Sequence, residues 1–461
     1  MTDSFEARLS RDLRAYADKL VGPPVEAMAV AERTISTRPM AGRPWWTLAA
    51  RPAWRAVAIA ALILALLASA AFIGSRLITQ RPLVPPSQLS FRPAGETTWA
   101  ASDVVAAGLR DGRVLVIHGP GAQIYDPVRN TYTHTGPAVG LPDSLQHART
   151  ATTLRDGRVL LTAGDGSAWT YEPASGSFLE ASRMLLARSF GYSATRLPDG
   201  RVLFVGGVGP PPDPGGSYGA TIAAAELFDP RVSEFVLTGS LREDRVGHAA
   251  VLLLDGRVLI AGGSYQRPTG LDSFSSRRLD SAEAFDPASD SFLLAGSMSR
   301  NRDGLTLTRL LDGRVLVAGG RGDMGGGHHI WTATEIFDPT TGYWAKAGDM
   351  VGWRLDASAV LLGDGRVLLV GGQIPSGGGP APYSETGSQV GPGTTNPIDG
   401  FDVEVYDATT ESWQLAGRET VQRDPYPSLV LLSSGLVYVT GGVSADGGVT
   451  ESVDELFGPR P

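Results

Sequence analysis

Leu253–Gly263 reads LLDGRVLIAGG, and the string keeps returning. DGRVL begins at Asp111, Asp156, Asp199, Asp255, Asp312 and Asp364, and a weaker echo, SGLVYVTGG, begins at Ser434. Around the quoted copy, His248–Leu254 is an apolar run of strand length. Asp255-Gly256 reads as a two-residue hairpin turn, which asks for positive φ at both central positions. Arg257–Ala261 returns as a second strand, and Gly262-Gly263 ends it where backbone must turn or come close. A variable loop leads to SAEAFDP, Ser281–Pro287, a third strand closed by Asp-Pro, and then to DSFLLAG, Asp290–Gly296, a fourth.

The spacing holds along the chain. An aromatic falls six residues after the turn acid each time: Tyr132 after Asp126, Phe178 after Glu172, Phe235 after Asp229, Phe292 after Asp286, Trp344 after Asp338 and Trp413 after Asp407. Glycine doublets recur at Gly206-Gly207, Gly262-Gly263, Gly319-Gly320, Gly371-Gly372 and Gly441-Gly442. The first two units depart, with His118-Gly119 and Ala163-Gly164. Four short strands per unit, repeated at intervals of 43 to 70 residues, predict an all-β fold, a seven-bladed propeller. Blades are buried on both faces, so their strands read as continuous apolar runs. The seventh unit ends at ELFGPRP, before a fourth strand. LSFRPAG, Leu89–Gly95, matches SFLLAG, and Phe91 precedes Asp111 by 20 residues as Phe292 precedes Asp312. The missing outer strand is therefore expected at residues 88–95, closing a propeller that spans 88–461.

The doublet, the E-x-[FY]-D-P segments (Glu226–Pro230, Glu283–Pro287, Glu335–Pro339) and the aromatic that follows resemble kelch repeats. The resemblance covers about residues 88–461 and leans to the bacterial, galactose-oxidase-type branch. It implies one enzymatic option, a copper–radical site built with tyrosines, histidines and a Tyr–Cys crosslink. The chain has no cysteine, so that cofactor cannot form, and no cofactor or metal is expected.

Upstream the chemistry changes. Ala56–Gly74, AVAIAALILALLASAAFIG, is uncharged and would span roughly 28 Å as a helix at about 1.5 Å per residue. Trp45, Trp46 and Trp54 precede it as interface anchors. More than 50 residues stand before the run, which favours an uncleaved anchor over a signal peptide cut at Ala68-Ser69-Ala70. The expected division is a cytoplasmic segment at 1–54, a transmembrane helix at 55–76, a linker at 77–87 and the propeller. Arg38, Arg43, Arg51 and Arg55 outnumber Arg76 and Arg81, which places the N-terminus in the cytoplasm and the propeller outside a single-pass membrane protein. Phe5, Leu9, Leu13, Tyr16 and Leu20 make one helical stripe after Ser4, so residues 4–20 could dock on a cytoplasmic partner or lie on the membrane.

The whole chain of 461 residues carries a net charge of −8, and residues 1–55 alone carry +3. The acidic remainder argues against nucleic acid. Among the six histidines, His328-His329 sit in a glycine-rich loop without carboxylates at ligand spacing, and His118 replaces a doublet glycine. Arg321-Gly322-Asp323 spells an adhesion tripeptide. The recurring Glu reads as a hydrogen-bonding residue of the repeat. Length varies in the loops joining second to third strands: Val208–Thr221, Ser264–Ser281, Arg321–Thr334 and Gln373–Gly400. They should share one face, where binding tends to reside. Candidate ligand-face residues are His118, Arg321, Asp323, His328, His329, Tyr383 and Glu385. With no catalytic set legible, the sequence points to a membrane-anchored, non-enzymatic module presenting the propeller to a protein or glycan. A single-pass, anti-sigma-like regulator and a carbohydrate-active enzyme without the copper–radical cofactor are the alternatives.

Overall fold

The computed structural model describes residues 84–460, except 96–103, 119–120, 136–146, 213–215, 325–326, 373–401, 421–422, 424–425 and 442–453. The expected anchor and the cytoplasmic stripe lie outside the described residues, as do Gly442, Tyr383 and Glu385. Among the described residues no helix is long and apolar enough to cross a membrane.

The chain folds into seven four-stranded antiparallel sheets, one with an extra strand, plus a separate two-stranded hairpin. The first strand of each sheet is innermost. Val104–Gly108, Ala148–Thr153, Tyr192–Arg196, Ala249–Leu252, Asp303–Arg309, Ser358–Leu361 and Ser428–Leu431 touch in succession, and the last meets the first. This is a closed seven-bladed propeller. In the last blade Leu89–Pro93 is the outer strand and pairs with Glu455–Pro459, bringing Phe91 opposite Phe457. The first and last strands of the propeller thus complete one sheet.

Second strands are buried from end to end. Side chains alternate across a strand, and here each side meets a different blade. Val258 and Ile260 pack against Leu203 and Val205 of the preceding blade. Leu259 and Ala261 pack against Val315 and Val317 of the next. Both faces need apolar residues, which is why RVLIA does not alternate with polar ones. The constant aromatic is the cross-strand partner of the third-strand aromatic. Phe285 stands opposite Phe292, and their rings lie 5.1 Å apart. Phe91 and Phe457 make the same pair at 4.9 Å across the closure.

The Asp-Gly turn differs from the two-residue hairpin expected. Leu253 and Arg257 flank a longer loop, closed by Leu253 N–H to Arg257 O at 2.8 Å and Gly256 N–H to Leu253 O at 3.2 Å. Of the pair, only Gly256 has positive φ, at 90°. Asp255 supplies a side-chain contact instead, accepting from Arg257 N–H at 3.0 Å and pairing with its guanidinium at 2.6 Å. That pair is partly exposed, so it shapes the loop more than it stabilises the fold.

Candidate functional site

Direction follows from the topology. Asp-Gly and Asp-Pro turns share one face of the disc, and the loops from second to third strands share the other with the connections between blades. On this second face the doublets have a mechanical role. Gly263 N–H donates to Arg302 O of the next blade at 2.9 Å, and Gly207, Gly320 and Gly372 repeat the bond to Arg245, Arg354 and Arg423. Gly262 has φ of 66°, and a Cβ there would meet Arg302 O at 2.5 Å. Gly262→Ala is expected to lower stability by about 1–3 kcal/mol, read as an earlier urea midpoint with an unchanged slope.

Those carbonyls belong to buried arginines. Arg245 donates to Gly262 O at 2.9 Å and to Glu283 at 2.9 Å within its own blade. Arg188–Glu226, Arg302–Glu335, Arg354–Glu404 and Arg423–Glu455 repeat the pair, each arginine also reaching its first doublet glycine. Each glutamate also accepts backbone N–H groups, such as Arg242 and Glu243 onto Glu283. The recurring Glu is thus held by structure. Its arginine partners, 17 or 18 residues before the doublet, escaped the sequence reading.

Just after each arginine the chain turns onto the inner strand, and the turns bond blade to blade around the axis. Gly247 N–H donates to Gly191 O at 3.1 Å, then Gly304 to Gly247, Asp356 to Gly304 and Tyr426 to Asp356, each at 2.9 Å. All five residues have φ between 56° and 66°. Glycine takes that conformation freely; Asp tolerates it, and Tyr rarely adopts it. Such departures persist where something else requires the side chain. Here Asp356 and Tyr426 bring the only side chains of the five. Their side chains lie close enough for each to shift the other's titration. Burial pushes the Asp356 carboxyl up to about 6, with neighbouring Asp303 acting in the same direction and Tyr426 and Arg321 against it. Tyr426 is 59% exposed as a whole residue, while desolvation at its hydroxyl end and then the Asp356 charge raise the phenol above its ordinary value, so it stays a donor.

Charged groups surround the pair. The Asp356 carboxylate lies against Gly304, where a Cβ would collide with it. Asp303, next in sequence, pairs with Arg321 at 3.3 Å and with Arg278 at 3.3 Å. Arg278 also pairs with Asp323 at 2.5 Å, and His328 Nδ1 lies 2.8 Å from Asp323. So the structure gathers Arg321, Asp323 and His328 from the candidate set on one rim, beside residues the sequence reading did not single out. Arg321-Gly322-Asp323 is not a free adhesion loop. It extends the second strand of blade five, paired with Gly327–Ile330, and Asn301 Oδ1 accepts Asp323 N–H at 2.9 Å. His329 is buried with Nε2 at 2.8 Å from Met324 O, so the two histidines do not act together. His118 needs correction as a ligand-face residue: it is fully buried at the end of its strand, and burial pushes its pKa down.

No family model and no curated protein sequence matches the chain. Its fold does match solved structures. One is a fungal alcohol oxidase, described as having catalytic diversity among the AA5 family and solved in complex with copper. The TM-score is 0.56 at 17% identity, over 80% of this chain and 76% of that one. This likeness shows the fold. It also corrects the non-enzymatic reading, because the propeller this chain resembles is one on which a reaction is carried out.

Copper does not fit the residues of this mouth. The chain has no cysteine, and among the described residues no three His, Cys, Asp or Glu side chains converge as a metal site. Where Asp303 and Asp323 approach, the cation between them is the Arg278 guanidinium.

Proposed function

We propose that this protein is an enzyme acting on carbohydrate by acid–base chemistry, without a copper–radical cofactor. The observation that carries the reading is the Asp356–Tyr426 pair: two neighbouring side chains at left-handed backbone positions around the axis, one of them a carboxyl set against Gly304 and raised to about 6. A carboxyl so placed holds its proton near neutral pH and can give it up. The step that suits it is hydrolysis of a glycosidic bond. As the bond between sugar carbon and leaving oxygen breaks, Asp356 gives its proton to that oxygen. Water then adds to the sugar carbon, and Asp356 takes back the proton the water sheds. Tyr426 donates to one carboxyl oxygen and leaves the other for the substrate. Asp303, fixed by Arg278 and Arg321, presents negative charge to the positive charge that develops on the sugar.

The repeats are proposed to be kelch repeats, on the doublet and E-x-[FY]-D-P pattern. Residues 55–76 are proposed as a single membrane anchor with the N-terminus cytoplasmic, on the apolar run and the arginine bias, so the propeller would meet extracytoplasmic glycans. The test is a panel of neutral and acidic oligosaccharides incubated with the full-length chain at pH 4 to 9, read as new reducing ends. Copper-supplemented primary alcohols run alongside. Release of reducing ends without metal supports the proposal. Oxidation of alcohols that needs copper would overturn it.

A further inference from the structure

We infer that the hairpin inserted into blade four, strands Ser264–Gly270 and Ser273–Arg278, is a binding rail for a neutral saccharide chain that extends from the axis mouth. The inference deepens the carbohydrate reading above by assigning an oligosaccharide as substrate. It rests first on where the hairpin ends. Arg278, its last residue, is buried and grips Asp303 and Asp323 beside Asp356. The rail therefore starts at the proposed chemistry.

It rests secondly on how the hairpin is held. Along its length it leans on the Val208–Thr221 loop of the preceding blade. Thr221 N–H donates to Gln266 O at 3.1 Å, Gln266 Nε2 to Gly219 O at 3.1 Å, and Ser217 N–H to Leu271 O at the tip at 2.9 Å. A two-stranded ribbon alone is marginal in water; this one is tied to the body from base to tip. The bonds come from the first strand's side, and Ser273–Arg277 is exposed throughout.

Thirdly, the exposed strand carries what a sugar chain needs and little else. Phe274 is 41% exposed, and its ring lies 4.6 Å from that of Tyr218. Together they form a platform of the kind on which a sugar ring's apolar face can rest. Ser276, two residues on and on the same strand face, supplies a hydroxyl. The arginines are already paired: Arg277 with Glu243 at 2.8 Å, Arg267 with Asp244 at 2.5 Å. No cation among these is left over for an acidic polymer, and the exposed Asp272 carboxylate at the tip would repel one, so the ligand class is neutral. Phe274, Ser276 and Arg278 share a strand face, and from Phe274 to Arg278 is roughly 13 Å at about 3.3 Å per residue. A sugar at the mouth and another on the platform therefore belong to one chain of several units.

The test is calorimetric binding to the full-length Asp356→Asn variant. The probes are hexasaccharides and disaccharides of β-linked glucose, mannose and galactose. One hexasaccharide should bind at least tenfold tighter than its disaccharide, and Phe274→Ala should remove that difference while Phe274→Trp keeps it. Equal hexasaccharide affinity with and without the Phe274 ring, or no saturable binding by any hexasaccharide, overturns the rail. Because binding and not turnover is read, the result stands apart from whether Asp356 is the catalytic acid.

Discussion

Asp356→Asn is expected to lower kcat by about 10²- to 10⁴-fold, the usual weight of a positioned acid–base group. Asn keeps the shape and can still meet Tyr426, so the mouth stays built while the proton is lost. In the unaltered protein kcat should be high while Asp356 is protonated and fall as pH rises through about 6. Asp303→Asn removes a negative neighbour that helps to raise this carboxyl, so the fall should move to lower pH. Stability carries the same signature. The folded-state pKa lies above the ordinary 3.8. Protonation therefore supports the fold below that value, and the support is lost as pH rises through about 6. Relative to the unaltered chain, Asp356→Asn should then gain melting temperature between pH 4 and pH 7. If kcat is untouched while the melting curve changes as described, Asp356 is structural and the acid–base reading fails. If the kcat profile keeps its fall near pH 6 in the variant, another group is the acid.

The framework was legible because one physical demand repeats. Every blade needs a sheet apolar on both faces and an aromatic pair at its outer edge, and five of the seven add a glycine at φ between 65° and 77° at the end of the second strand. Such demands leave strings like DGRVL and GG at the same place each time. What repeated less strictly was missed. The buried arginines sit 17 or 18 residues before the doublet in connections of differing length, so their alignment shows only once Glu283 and its counterparts need a partner. Asp356 and Tyr426 were missed for the opposite reason, being departures. The chain reads FGY, VGH and DGL at three of these turns, then LDA and PYP. Glycine replaced by Asp and then Tyr is a visible signal, but only when the position is known to require positive φ. His118 and the tripeptide at Arg321 misled because a local string does not report burial. One is enclosed by neighbouring strands and the other is drawn into a sheet.

Arg245→Met should cost about 3–5 kcal/mol, the expected loss when one partner of a buried ion pair is removed. Arg245 is 0% exposed and Glu283 is 1%. The substitution leaves Gly262 O without the Arg245 donor, leaves Ser281 O with only the Gly262 N–H at 3.1 Å, and strands the Glu283 charge. Glu283 keeps two backbone N–H donors, so its charge is still partly met. It must then take up a proton or carry an unmatched charge in the seam. The variant's deficit should accordingly be larger at pH 8 than at pH 5, since protonation relieves it. Glu283→Gln should cost less than Arg245→Met, because Arg245 retains its two carbonyl acceptors. The double variant should fall short of the sum of the two losses, the difference measuring the pair itself. Urea titrations of the three variants at both pH values decide the point. Additive losses with no pH dependence would mean that the arginine serves only by filling space and capping Gly262. A shortfall growing with pH would show that charge pairing holds each blade's third strand to its entry turn. The entry turn of blade five carries Asp303, so the Arg302–Glu335 pair beside it would also hold the proposed site in place.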